Sequence, residues 1–132
     1  MCTDLRVREA QWQFVAPVPH YLALCERPGS PWEPLAVVAF DRVVGFVMKG
    51  VDPTDESFWI GGLMIAAEEQ GQGYGRAAVE ALVAQATAAR HRSVALSYQP
   101  GNTSARALYL SAGFVETGET EDDEVVARRA LR

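Results

Sequence analysis

The sequence predicts an α/β domain built on a mixed, mostly antiparallel sheet, and three observations predict it. Residues 58–98 read as strand, glycine loop, helix and strand, a β-α-β step whose strands run parallel with a right-handed crossover. Two β-rich runs precede it and two more follow, each pair joined by a short polar turn, so both read as antiparallel hairpins. At 132 residues, 48% hydrophobic and 22% charged, the chain is long enough for one core and too short for two, so residues 1–132 form a single domain.

In chain order, Leu5 to Val15 fits a helix that turns Trp12 and Val15 inward; Pro17 and Pro19 end it, and a short helix follows from His20 to Glu26. Pro28, Gly29, Ser30, Pro31 and Pro34 make a loop. Leu35 to Phe40 and Val43 to Met48 are strands separated by Asp41 and Arg42, the spacing of a tight hairpin without its usual glycine. Asp52, Pro53, Thr54 and Asp55 turn the chain into a third strand from Phe58. This strand is apolar on successive residues, so it should be central and covered on both faces. After the glycine loop, Val79, Leu82, Val83 and Ala86 fall on one helical face. Ser93 to Tyr98 is the next strand, stopped by Pro100 and Gly101. Asn102 is placed to cap a helix from Thr103 to Ala112, with Ala105, Leu108, Tyr109 and Ala112 on one face and Gly113 at C′. Phe114 and Val115 begin a strand; Val125, Val126, Ala127 and Leu131 make the last, and the acidic residues between them form the closing turn.

Composition narrows the function classes. Twelve basic and 17 acidic residues leave a formal charge of −5, and Glu116, Glu119, Glu121, Asp122, Asp123 and Glu124 gather near the C-terminus. That balance argues against a nucleic-acid partner and mildly favours a cationic one. Cys2 and Cys25 are too few for a disulfide framework or a metal site, so no metal is expected. No uncharged run approaches the roughly 18 residues needed to span a bilayer, and no signal-peptide pattern is present, which predicts a reduced cytoplasmic protein without a membrane partner.

The chemistry concentrates where the third strand meets the long helix. Gly71, Gly73 and Gly75 alternate at the helix start, where backbone N–H groups lack partners, the macrodipole is positive, and a phosphate can approach unhindered by Cβ atoms. A P-loop would need Lys then Ser or Thr after the last glycine, and Arg76 and Ala77 stand there instead. A dinucleotide fingerprint is matched in its weaker form by Gly73, Gly75 and Ala78, but no Asp or Glu lies between Glu80 and Glu116 to hold the ribose. A tight turn alone would explain the glycines only at an entropic cost without packing return.

Gln70-Gly71-Gln72-Gly73-Tyr74-Gly75-Arg76 resembles the acyl-CoA signature of the GNAT family of N-acetyltransferases: Gln or Arg, two residues, Gly, one residue, Gly or Ala. Phe14-Val15-Ala16-Pro17, Val44-Gly45-Phe46-Val47, Trp59-Ile60 with Leu63-Met64-Ile65, Leu96-Ser97-Tyr98, Ala105-Arg106-Ala107-Leu108-Tyr109, Gly113-Phe114 and Thr117-Gly118-Glu119 are similar to a bacterial subgroup described as spermine/spermidine or diamine acetyltransferases. The resemblance covers nearly the whole chain from residue 11. It implies a GNAT fold splayed between the central strand and Ser93–Tyr98, with acetyl-CoA in the gap as cosubstrate and a small-molecule amine, a polyamine first, as acceptor.

The same resemblance implies roles for residues. Backbone N–H groups from Gly71 to Arg76 would hold the pyrophosphate, with Gln70 opening the motif, Gln72 and Tyr74 within it, and Arg76 adding a cation. The pantetheine arm would pair with Leu63, Met64 and Ile65, and Gly61 and Gly62 fit a bulge or close backbone approach there, where a freed N–H could polarise the thioester carbonyl. Asn102 and Ala105 would lie beside CoA, although Asn102 also serves as a plain helix cap. Tyr109 would be the catalytic acid toward the departing thiolate, its phenol reference pKa of about 10 lying near the thiol's of about 8.5; without the motif it would read as core. The general base is open. Polyamine acetyltransferases often carry a carboxylate nine positions before the motif's Gln, and here that position is Gly61. Glu33, Asp55, Glu56 and the acids from Glu119 to Glu124 remain candidates, whereas His20 and His91 gain no role beyond residue type.

The chain leaves little room before Trp12 for the family's first strand, so the N-terminal strand is short or missing, and an uncovered sheet edge would favour a homodimer. Three readings stand at this point: transfer to a polyamine or similar small cation, transfer to another amine such as an aminoglycoside, amino acid or protein N-terminus, and a non-catalytic acyl-CoA-binding module.

Overall fold

The computed structural model describes Ala23 and residues 25–131. The helix over Leu5–Val15, most of the helix over His20–Glu26, the short N-terminal strand and His20 therefore lie outside the described residues. Ala23, Cys25 and Glu26 are helical.

Six strands and two α-helices follow. Strands β1 (Glu33–Ala39), β2 (Arg42–Val51) and β3 (Phe58–Ile65) form an antiparallel meander, and a 3₁₀ turn (Ala67–Glu69) leads into α1 (Tyr74–Ala88). Strand β4 (Ser93–Tyr98), helix α2 (Thr103–Ser111) and the antiparallel hairpin β5 (Val115–Glu121) and β6 (Glu124–Ala130) complete the chain. The order across the sheet is β1-β2-β3-β4-β6-β5, and only β3 with β4 is parallel. The sheet is thus mixed and mostly antiparallel, with the β-α-β step at its centre.

Register assigns the two faces. Ile60, Leu96 and Ala127 lie in line on the face covered by α1, where the helix buries Val79, Leu82, Val83 and Ala86, the positions that the 3.6 period predicts. Trp59, Ala95 and Arg128 lie in line on the far face, as do Gly61 with Met48 and Ser97 with Val126. Strand β3 is central, and its far face is half-buried: the Arg128 guanidinium lies 5.6 Å from the Trp59 ring centroid, and Trp32 covers Gly61.

The two hairpin turns correct the sequence reading. Phe40 and Asp41, not Asp41 and Arg42, form the first turn, with φ of 51° and 65°. A two-residue turn of this hand needs φ > 0 at both central positions. Arg42 instead opens β2, where its guanidinium grips Glu69 at 2.8 and 2.9 Å, and Phe40, 84% exposed, takes the left-handed position. In the last hairpin only Asp122 and Asp123 turn, with φ of 47° and 67°; Glu116, Glu119 and Glu121 belong to β5 and Glu124 to β6.

Helix α2 ends as the sequence predicts. Gly113 is left-handed at φ 91°, its N–H donates to the Leu110 carbonyl, and the Phe114 N–H donates to that of Tyr109. Among the described residues no helix is long and apolar enough to cross a membrane.

Candidate active site

The parallel pairing of β3 with β4 stops early. Phe58, Trp59 and Ile60 face Val94, Ala95 and Leu96, after which β3 continues through Gly61 to Ile65 while β4 ends at Tyr98. The strands part there and open a gap at the middle of the sheet. On the β2 side, Met48 pairs with Gly61 and Phe46 with Met64, so Gly62 and Leu63 together oppose Val47 alone. This is a bulge, with Gly62 at φ 61°, a conformation that disfavours a side chain. The glycine pair that marked a close approach in the sequence is therefore the point where β3 bends away.

The start of α1 closes one end of the gap. Gly73 is its N-cap in the left-handed region, φ 84°, with no side-chain cap, and Gly71 is left-handed too, φ 83°. Among the described residues the N–H groups from Gly71 to Arg76 find no protein acceptor; the first such bond of the helix is Ala77 N–H to the Gly73 carbonyl at 3.0 Å. A Cβ built on Gly71 or Gly73 meets nothing within 4 Å, so the loop borders open space at both glycines. Gln70 anchors the loop, donating from Nε2 to the Ile65 carbonyl at 2.9 Å. Arg76 reaches the far end of α2, where Nη2 donates to the Ser111 carbonyl at 3.1 Å.

The start of α2 closes the other end. Asn102, almost fully buried, accepts from the Ala105 N–H at 3.2 Å and so caps the helix as its position predicts. Between the helix starts and the end of β3 lies a cavity of about 260 Å³, with Leu63, Met64 and Ile65 on one wall, the glycine loop with Tyr74 and Arg76 on a second, and Asn102, Ala105 and Tyr109 on a third. Of the residues expected to bind the cofactor, Gln72 alone stays off this wall; its side chain lies 3.5 Å from Glu69 and from the Tyr74 hydroxyl. Glu69, Ser104 and Leu108 line the cavity without having been singled out. Leu108 was legible as an apolar position of α2. Glu69 owes its place to Arg42, a partner 27 residues away that no local pattern reveals.

Two tyrosines pack side by side next to the gap, Tyr98 and Tyr109, with ring centroids 5.6 Å apart. Only Tyr109 lines the cavity. The Tyr98 hydroxyl donates to Glu116 at 2.5 Å, and Arg106 binds the same carboxylate at 2.7 Å. Burial, reinforced by the bond to Glu116, pushes the Tyr98 phenol up to about 12, so it holds its proton and serves as a strut.

A strand that parts from its neighbour beside an uncapped glycine-rich helix start matches a known family. The acetyltransferase (GNAT) family model matches residues 3–114. The chain belongs to the GNAT acetyltransferases. It is an acetyl-CoA-dependent acetyltransferase, and its fold recurs in solved structures. A GNAT family acetyltransferase from Elizabethkingia anophelis with acetyl-CoA bound aligns with a TM-score of 0.68 at 15% identity, over 86% of this chain and 81% of that one. The aminoglycoside acetyltransferase AAC(6')-Ib in complex with coenzyme A aligns with 0.70 at 22% identity, over 86% and 71%. A ribosomal-protein-alanine N-acetyltransferase from Brucella melitensis aligns with 0.65 at 20% identity, over 86% and 78%. No curated protein sequence matches this chain.

In this acetyltransferase most of the candidate carboxylates are engaged. Glu33 pairs with Lys49 at 3.5 Å, and Asp55 accepts from the Ser57 N–H and lies 3.7 Å from Arg128. Glu119 takes both Nε and Nη2 of Arg128, which, with the Thr117 hydroxyl, holds its carboxyl below the usual range. Glu116 is held low by Tyr98 first and Arg106 second. Glu124 accepts from the Ser97 hydroxyl at 2.7 Å and the Gln99 amide at 3.4 Å. His91 sits at the opposite end of α1 from the glycine loop, against the Phe58 ring and the Glu56 carbonyl, a packing role.

Proposed function

We propose that the acetyltransferase passes acetyl directly from acetyl-CoA to a primary amine, with a polyamine or similar small cation as the first acceptor class. The observation that carries the reading is the uncapped start of α1 opening on the same cavity as Tyr109. Pyrophosphate oxygens accept from the N–H groups of residues 71–76, and the pantetheine arm runs along Leu63 to Ile65, from the bulge to the end of β3. That brings the thioester to the gap between β3 and β4.

The neutral amine attacks the thioester carbonyl carbon; a C–N bond forms and the carbonyl electrons move to oxygen. When the tetrahedral species collapses, the C–S bond breaks and its electron pair leaves with sulfur. Tyr109 donates its hydroxyl proton toward that thiolate and regains one from water, which takes up the excess amine proton. Asn102 sets the first turn of the helix that presents Tyr109.

Gly61 supports a second acceptor class. A Cβ there would stand 3.1 Å from the Trp32 ring and 3.2 Å from Met48, so the place of the polyamine enzymes' carboxylate is filled by indole. An amine on a less highly charged body, such as an aminoglycoside or a peptide N-terminus, fits that difference. Thiol release from acetyl-CoA across a panel of polyamines, aminoglycosides, amino acids and peptides separates the classes. Amine-dependent release is the expected outcome; release that no amine accelerates would overturn the transfer reading. Binding has its own readout: acetyl-CoA at about 100 times its dissociation constant should stabilise the fold by roughly 2.7 kcal/mol, a melting shift of several degrees.

A further inference from the structure

We propose that Glu124 is the receptor for the acceptor's ammonium group, at the far-face mouth of the gap, and that Trp32 forms the wall opposite it for an apolar or aromatic acceptor body. The inference rests on the acetyl-transfer reading above and names the substrate side of that site.

The gap has two lips on the far face. Gly61 is the first residue of β3 beyond its last pair with β4, and the Trp32 indole lies over it. Ser97 is the first residue of β4 beyond that pair, and its side chain shares the far face with Val126. Glu124 stands two residues before Val126 on β6, hence on the same face, and takes the Ser97 hydroxyl at 2.7 Å. Ser97 thereby fixes a carboxylate beside the opening, across from the indole.

Its partners distinguish this carboxylate. Glu33, Asp55, Glu116 and Glu119 each have an Arg or Lys within 4 Å, which offsets their charge. Both donors to Glu124 are neutral, a hydroxyl and an amide, so its negative charge stays uncompensated among the described residues. A carboxylate offers about four lone-pair directions, and two are used, leaving room for an ammonium. Glu124 is also half-buried, whereas Glu121, Asp122 and Asp123 at the hairpin tip are exposed and solvent-screened. Beside the mouth the half-buried indoles of Trp32 and Trp59 supply apolar surface, which suits the second acceptor class named above, a single cation on an apolar body.

Calorimetric titration of phenethylamine into the CoA-saturated full-length protein at pH 7 tests this. Glu124→Gln keeps an oxygen for Ser97 and nearly the same shape while removing the charge. Phenethylamine should bind the unaltered protein, about tenfold or more weaker in E124Q, with partial recovery in E124D and a several-fold loss in W32L. CoA affinity and melting temperature should stay the same in E124Q. No phenethylamine binding by the unaltered protein, or equal affinity in E124Q, would overturn the receptor. Thiol release by the unaltered protein across the amine panel judges acetyl transfer separately, so failure of the one is told apart from failure of the other.

Discussion

The two helix starts that face each other across the cavity solve one physical problem in opposite ways. Every α-helix begins with N–H groups that lack intrahelical partners. At α2 the chain supplies the acceptor itself, the side-chain oxygen of the almost buried Asn102. At α1 it supplies none: Gly73 has no side chain, the first turn carries no acid, and the loop before it is held open by left-handed glycines. A sealed start stabilises the protein whether or not ligand is present, whereas an unsealed start stabilises it only when something anionic arrives. The difference separates the helix that binds from the helix that positions.

The sharpest way to break the contrast is to put an acid into the open start. Gly73→Asp should weaken acetyl-CoA binding on the order of 10³-fold, since hydrogen bonds to charged groups are worth about 1.5–3 kcal/mol each and at least two would be lost. Asp tolerates the left-handed region, so melting without ligand should move only slightly; unchanged CoA affinity by calorimetry would dissolve the distinction. Next in size is the chemistry carried by the sealed helix. Tyr109→Phe should lower turnover by roughly 10²-fold while leaving CoA affinity nearly unaltered, the scale of a lost general acid. A variant with full kcat would return Tyr109 to the core.

Unsealing α2 has a smaller effect. Asn102→Ala should cost about 1 kcal/mol in chemical denaturation with or without CoA, the usual loss for an N-cap. A loss seen only with CoA present would mean that Asn102 also belongs to the ligand site. The smallest effect appears in the pH dependence of the network below α2. The Tyr98 pKa is raised, so its contribution is complete below pH 10, the unfolded value, and fades as pH rises through about 12. Glu116 is lowered, so its contribution is present above the ordinary carboxyl value of 4.5 and is lost as pH falls through the lower folded value. Tyr98→Phe should flatten the alkaline limb of melting temperature against pH, and Glu116→Gln the acid limb; parallel curves for variant and parent would show that the network carries no linkage.

How far the sequence foretold this arrangement depends on the range of the interaction concerned. Ser93–Tyr98, the Asn102 cap, the Gly113 stop and the buried stripe of α1 were legible because each rests on residues within a turn or two of one another. The glycine loop was legible for the same reason. The first hairpin turn was misplaced by one residue, because Arg42 is drawn into β2 by Glu69 and no local rule sees that partner. Likewise, Gly61 read as a missing carboxylate, whereas the indole of Trp32 above it comes from the proline loop, 29 positions earlier. The acids near the C-terminus read as a solvated turn, yet Glu116 and Glu119 lie in a strand and bind Arg106 and Arg128. Charge counted along a chain says little about charge left over after folding.

The early end of the β3–β4 pairing also bears on how the molecule comes apart and together. The meander β1-β2-β3 and the group β4-β6-β5 each form a continuous ladder, but the backbone pairing between them is three residue pairs long, supported by the packing of α1 and by Arg128 against Trp59, Ser57 and Asp55. Those pairs link residues 36 apart, so their loop closes only after the local hairpins have formed. The seam at Phe58–Ile60 and Val94–Leu96 is therefore where the cooperativity of the whole domain is decided. Backbone amides buried there should exchange with solvent only on global opening, while the hairpin tips at Phe40 and Asp122 exchange through local fraying.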